Sequence, residues 1–92
     1  MKYALSMTNR FQKERKLAEK RGLPMDLLEE VVLKLADGIP LPKKNKDHAL
    51  TGCYAGYREC HIQADWLLMY KIEDSVLVLT LSRTGSHSDL FN

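Results

Sequence analysis

Three apolar segments in the second half of the chain, Tyr57–Ile62, Trp66–Ile72 and Ser75–Ser82, are separated by only two or three residues each. No other feature of the sequence constrains the fold as strongly. A parallel neighbour needs a crossover of about a dozen residues or more, whereas an antiparallel neighbour needs only a short turn. Turns at Gln63–Asp65 and Glu73–Asp74 therefore predict a meander of antiparallel strands. Alternation puts Tyr57, Glu59 and His61 on one face of the first of them, and Arg58, Cys60 and Ile62 on the other. In the third, Leu77, Leu79 and Leu81 alternate with Val76, Val78 and Thr80. Leucines turned toward helices leave the opposite face partly open to a ligand.

The first half supplies those helices. Lys2–Met7 reads as a strand, Thr8 or Asn9 as an N-cap, and Arg10–Arg21 as a helix closed by Gly22. Its apolar residues, Phe11, Leu17 and Ala18, form a thin stripe. Pro24 suits the first turn of a second helix, in which Leu27, Leu28, Val31, Val32 and Leu35 recur at helical spacing. Gly38 ends it, and Pro40 and Pro42 prevent a restart. Lys43–Gly56 is polar and glycine-punctuated, an ordered loop, and the tail RTGSHSDLFN is rich in turn residues. The expected class is α+β, two N-terminal helices packed on one face of a small twisted antiparallel sheet in the order β-α-α-β-β-β, with residues 1–92 forming one domain.

A chain of 92 residues buries about 60–65% of its unfolded surface and has little room for a deep cavity. A polymer lying across a surface suits it better than an enclosed metabolite. No apolar run approaches the ~20 residues of a membrane span, and the apolar stretch in MKYALSMTNRFQKER is too short for a signal peptide. A cytoplasmic protein without membrane association is expected. Cys53 and Cys60 fit neither a metal-ligand pair nor a disulfide scaffold and read as reduced thiols. Residues 1–46 hold 11 Lys and Arg against 6 Asp and Glu, residues 47–92 only 3 against 6. The basic half suits phosphate backbone or an acidic protein partner, while all three histidines fall in the acidic half.

His48 lies in the loop before the meander, His61 near a strand end with Asp65 in the following turn, and Arg83 and His87 flank Gly85 after the last strand. Histidine suits proton transfer near neutral pH, and the arginine fork suits phosphate oxygens. That inventory fits metal-independent RNA cleavage. A base takes the ribose 2′-OH proton, an acid protonates the departing 5′ oxygen, and a cation steadies the phosphoryl charge. Each residue also has an ordinary structural explanation. Lone histidines are most often surface or satisfied residues, Asp65 can simply start a turn, and Trp66 is more often core than a stacking platform. Arg83 can pair with a surface carboxylate, and Tyr54 and Tyr57 can pack a loop. Zinc binding is weakly supported, since the histidines lack the paired spacing of common sites.

The segment from Asp47 to Tyr70 reads Asp-His-x-Leu-x-Gly-x-Tyr-x-Gly-x-Arg-x-x-His-x-x-x-Asp-Trp-x-Leu-x-Tyr, and Arg-Thr-Gly-Ser-His-x-x-Leu-Phe follows from Arg83 to Phe91. Together with LAEKRG and PLPKKNKDH, these spacings resemble the YafQ-like branch of the RelE/ParE toxin superfamily over nearly the whole chain. The resemblance implies a RelE-like fold and the toxin role in a type II toxin–antitoxin pair. It also implies ribosome-dependent endoribonuclease activity on messenger RNA in the A site of the 70S ribosome, which inhibits translation. The implied catalytic residues are His48, His61, Asp65, Arg83 and His87, with Phe91 and the neighbouring Trp66 on the substrate side. On that reading His87 is the general acid, His48 or His61 the base, Asp65 a histidine-orienting or proton-sharing group, and Arg83 the transition-state cation. Phe91 stacks against a base. No cofactor and no metal are expected, and the partners are a cognate antitoxin, forming a toxin–antitoxin hetero-oligomer, and mRNA on the ribosome. Fold does not fix function, so a ParE-like gyrase inhibitor and a non-catalytic antitoxin- or RNA-binding module are the alternatives.

Overall fold

In the computed structural model, which describes residues 1–91, the elements run β1 (Ala4–Met7), α1 (Asn9–Lys20), α2 (Met25–Ala36), β2 (His48–Ala49), β3 (Arg58–Gln63), β4 (Trp66–Glu73), β5 (Val78–Gly85) and α3 (His87–Phe91). Five strands form one sheet in the order β1-β5-β4-β3-β2. The predicted meander is present: β3 pairs antiparallel with β4, and β4 with β5.

The expectation of a wholly antiparallel sheet is corrected by β1, which pairs parallel with β5 from Ala4↔Val78 to Met7↔Leu81. No hairpin joins these two strands, so no local turn chemistry announces their relative direction. The two-residue β2, paired antiparallel with β3 as His48↔Glu59, and the short α3 also lie beyond the predicted order.

α1 begins as the sequence suggests. The Thr8 hydroxyl oxygen accepts the Phe11 N–H at 3.0 Å, capping a free donor of the first turn, and the Thr8 hydroxyl donates to the Ser82 carbonyl at 2.7 Å. Pro24 stands at the N-cap of α2, whose Leu28, Val31, Leu35 and Ala36 are buried. These residues meet Cys60, Ile62, Trp66, Leu68, Tyr70, Leu79 and Leu81 of the sheet in one core. Burying a leucine of this kind contributes about 1.5–3 kcal/mol.

β5 starts three residues later than predicted. Asp74–Leu77 form the turn, with the Tyr3 hydroxyl donating to Asp74 at 2.6 Å and Leu77 in the left-handed region at φ 53°. Leu77 is therefore exposed and does not join Leu79 and Leu81 in the core. A bulge between Met69 and Tyr70 then shifts the pairing, so Met69 faces Arg83 while Tyr70 faces Leu81.

Candidate active site

Residues paired directly across a sheet share a face, so the register builds the site. His48, Glu59, Met69 and Arg83 form one row across β2, β3, β4 and β5. His61, Leu67 and Gly85 form the next row. Cys60, Ile62 and Leu68 point to the helices, so both rows lie on the opposite face. Three of the five residues expected to be catalytic, His48, His61 and Arg83, thus stand on one surface of about three strand widths, roughly 15 Å.

The end of β5 brings in His87 and Phe91. Ser86 caps α3: its hydroxyl oxygen accepts the Asp89 N–H at 3.1 Å, and the Asp89 carboxylate accepts the Ser86 N–H at 3.0 Å. This reciprocal pair is a capping box with aspartate in the acidic position. The Ser86 N–H and hydroxyl hold the Asp89 carboxyl below its ordinary value, with Arg21 adding to the effect. Gly85 leaves room for the cap, because a Cβ on it would stand 3.0 Å from the Cβ of Asp89 and crowd it. Asp65, in the β3–β4 turn, accepts the His87 backbone N–H at 3.1 Å, tying the two predicted residues together through a main-chain bond. The exposed His87 ring stands 5.4 Å from that of Phe91, and Phe91 meets Tyr54 edge-on, also at 5.4 Å. Phe91 is thereby set between an imidazole and an aromatic side chain of the Gly52–Tyr54 turn.

His48 is fixed from below. Its Nδ1 lies 2.7 Å from the Lys46 carbonyl, an acceptor only, so Nδ1 carries the proton and Nε2 faces Oε1 of Glu59 at 3.7 Å. Glu59 is 2% exposed, and its Oε2 is a buried oxygen with no hydrogen-bond partner among the described residues. The segment carrying His48 is anchored by Asp47, which accepts from Tyr70 Oη and from Arg58 Nη2 at 3.3 Å. Burial, then the Asp47 bond, raises the Tyr70 hydroxyl well above its ordinary value. On β3, the His61 carbonyl accepts from Asn45 Nδ2 at 2.8 Å.

Two predicted residues are engaged differently from the expectation. Arg83 was expected to present its fork to phosphate. Instead four of its five N–H groups are directed at Glu14, the Leu90 carbonyl and the Asp89 carbonyl. Trp66 was expected on the substrate side, yet its indole is 2% exposed. Its Nε1–H donates to Thr84 Oγ1 at 2.9 Å, and the Thr84 hydroxyl donates to the Leu67 carbonyl at 2.7 Å. So covered a ring has no face for a base, and Trp66 reaches the site only through Thr84 and β5.

Sequence reasoning missed Glu14 and Glu59. Glu59 had a signal, since alternation puts it on the same face as His61. Glu14 had none, being one charge among many on α1.

A family model described as bacterial toxin of type II toxin-antitoxin system, YafQ, matches residues 3–92. The mRNA interferase toxin YafQ of Escherichia coli K12 is 39% identical over 88 residues, which span 95% of this chain and 94% of that protein. The crystal structure of the E. coli DinJ-YafQ toxin-antitoxin complex superposes with a TM-score of 0.90 at 36% identity, covering 100% of both chains. A metal-bound toxin from Helicobacter pylori superposes with a TM-score of 0.91 at 42% identity, covering 97% of this chain and 99% of that one.

Proposed function

The chain belongs to the YafQ family of type II toxin–antitoxin toxins, and on that premise we propose that it is an endoribonuclease that cuts messenger RNA in the ribosomal A site. The observation that carries the reading is the placement of His87 beside Phe91, with its main chain held by Asp65 and with His48 and His61 on the adjoining sheet face.

The chemistry assigned to these residues is intramolecular transesterification. His48 or His61 removes the 2′-OH proton, and the resulting alkoxide attacks the neighbouring phosphorus. The 5′ oxygen departs with a proton from His87, leaving a 2′,3′-cyclic phosphate and a 5′-hydroxyl. Phe91 supplies a stacking face worth about 1–3 kcal/mol per base. Asp65 sets the start of α3 and so the position of His87. Arg83 holds α3 through its carbonyls and adds positive potential at the scissile phosphate. The ribosome supplies substrate alignment.

The E. coli relative is crystallised with DinJ, and by analogy a cognate antitoxin neutralises this chain in a hetero-oligomer. No helix among the described residues is long and apolar enough to cross a membrane, in keeping with the cytoplasmic location proposed for a protein acting on ribosomes.

The test is to add the purified chain to programmed 70S ribosomes carrying end-labelled mRNA. Discrete A-site cuts with cyclic-phosphate ends are expected. Intact mRNA, or inhibition of gyrase in their place, would refute the reading.

A further inference from the structure

Outside the site, the densest positive charge sits in the turn Lys43–Asn45 and the following Lys46. This turn is rigid for identifiable reasons. Asn45 is 6% exposed, and its Nδ2 donates to the His61 carbonyl at 2.8 Å, pinning the turn to β3. Lys46 adopts φ 46°, and its carbonyl accepts the proton on His48 Nδ1. Three exposed lysines thus stand on a turn whose bonds tie it to both histidines proposed as base. Beside them a groove of about 400 Å³ runs between α2 and the end of β3, lined by Lys34, Lys44, Lys46 and His61. Its one carboxylate, Glu30, already pairs with Lys34 at 3.5 Å.

We infer that the Lys43–Lys46 turn and this groove bind the RNA backbone to one side of the scissile phosphate. The inference rests on the nuclease reading and adds to it a second contact region. Lysines are mobile point charges, suited to phosphates recognised by charge and not by base sequence. Because His61 belongs to both the groove and the site, a strand crossing the site continues directly onto the lysines. A protein segment has more to gain elsewhere: the exposed Leu5, Met7 and Leu33 line a different groove, of about 510 Å³, beside β1, α1 and α2.

The test replaces Lys43, Lys44 and Lys46 together by Gln and measures binding of a short single-stranded 2′-O-methyl RNA across a salt series. That probe lacks the attacking hydroxyl, so binding is read whether or not the protein cleaves. The variant should lose about tenfold or more in affinity, and the slope of log affinity against log salt should fall by about 2, at roughly 0.7 per phosphate contact. Its melting temperature and antitoxin affinity should be unchanged, and the triple Lys→Arg variant should bind like wild type. Failure of the wild type to bind the probe, or equal affinity and slope for the Gln variant, overturns the inference. Lost antitoxin affinity with RNA binding intact would assign the turn to the antitoxin instead. If mRNA stays intact on ribosomes, the nuclease reading falls, while the binding series still decides the lysine turn.

Discussion

Glu14 and Arg83 meet at 2.8 Å between α1 and the end of β5, with side chains only 17% and 13% exposed. The same carboxylate also accepts the Thr84 N–H at 3.3 Å, at a stretch of β5 that β1 is too short to cover. Arg83 in turn holds the Asp89 and Leu90 carbonyls, so α1 governs the placement of the helix that carries His87 and Phe91.

Glu14→Ala should therefore reduce cleavage although Glu14 lies on α1, away from His48 and His61. Removing one partner of a largely buried pair leaves the other unsatisfied, at a cost of about 1–3 kcal/mol in stability. The cleavage rate on programmed ribosomes should fall at saturating enzyme, and Glu14→Gln, whose one amide oxygen can still accept from the Thr84 N–H and Arg83 Nε while the bond from Arg83 Nη2 is lost, should recover part of it. A Glu14→Ala protein with normal stability and cleavage would contradict this coupling.

How much of this was legible in the sequence depends on how local each cause is. Short turns dictate antiparallel neighbours, so the meander could be read directly, and the spacing of Leu28, Val31 and Leu35 marked the buried face of α2. The parallel β1–β5 pair could not be read, because it joins residues more than seventy positions apart with no connecting turn. The late start of β5 follows from Asp74 being held by Tyr3, another distant contact. At the site, residue types announced chemistry but not engagement. Arg83 and Trp66 were visible as candidates, yet Glu14 reaches Arg83 from α1, whose meeting with the end of β5 no local pattern encodes, and the Trp66–Thr84 bond depends on a β4–β5 register that the bulge at Met69 and Tyr70 shifts.

Trp66→Phe keeps the buried ring but deletes the Nε1–H that Thr84 accepts. The loss should cost about 1–2 kcal/mol, visible as a lower melting temperature at about 4–8 °C per kcal/mol for a domain of this size. Cleavage should fall with it, since β5 is released near Arg83, while affinity for single-stranded RNA should not change. Weakened RNA binding by a variant of wild-type stability would return Trp66 to direct substrate contact.

The capping box gives α3 a defined acid limit. The folded Asp89 carboxyl is held below its ordinary value, first by the Ser86 backbone N–H. A depressed carboxylate contributes stability fully above its unfolded value, about pH 4, and the contribution is lost as pH falls through the folded value. The Tyr54–Phe91 contact, followed by NMR, should loosen in that window, and Asp89→Asn should loosen it at neutral pH as well. A contact that persists in Asp89→Asn would show that the cap does not hold α3.

All proton-transfer and charge-stabilising roles are assigned to side chains, so purified protein should carry no stoichiometric ion. The H. pylori relative is a metal-bound toxin, which makes elemental analysis the informative experiment. Substoichiometric zinc and copper, with undiminished cleavage after chelation and transfer to magnesium-containing ribosome buffer, are expected. One tightly held ion per chain whose removal abolishes cleavage would require the roles of the histidines to be reassigned.

The central claim is that His87 donates the proton that releases the 5′ oxygen. Its ring is exposed and its fold-supporting bond is a backbone one to Asp65, so His87→Ala should keep the wild-type melt and its affinity for antitoxin and ribosomes. The most direct measurement is single-turnover cleavage of labelled mRNA on programmed ribosomes by wild type and His87→Ala, beside a thermal melt of each. A folded, ribosome-binding variant slowed by about 10²–10⁴ is the predicted result, the range for loss of a general acid. Cleavage near the wild-type rate by that folded variant would contradict the account and leave both proton transfers to His48, His61 and Asp65.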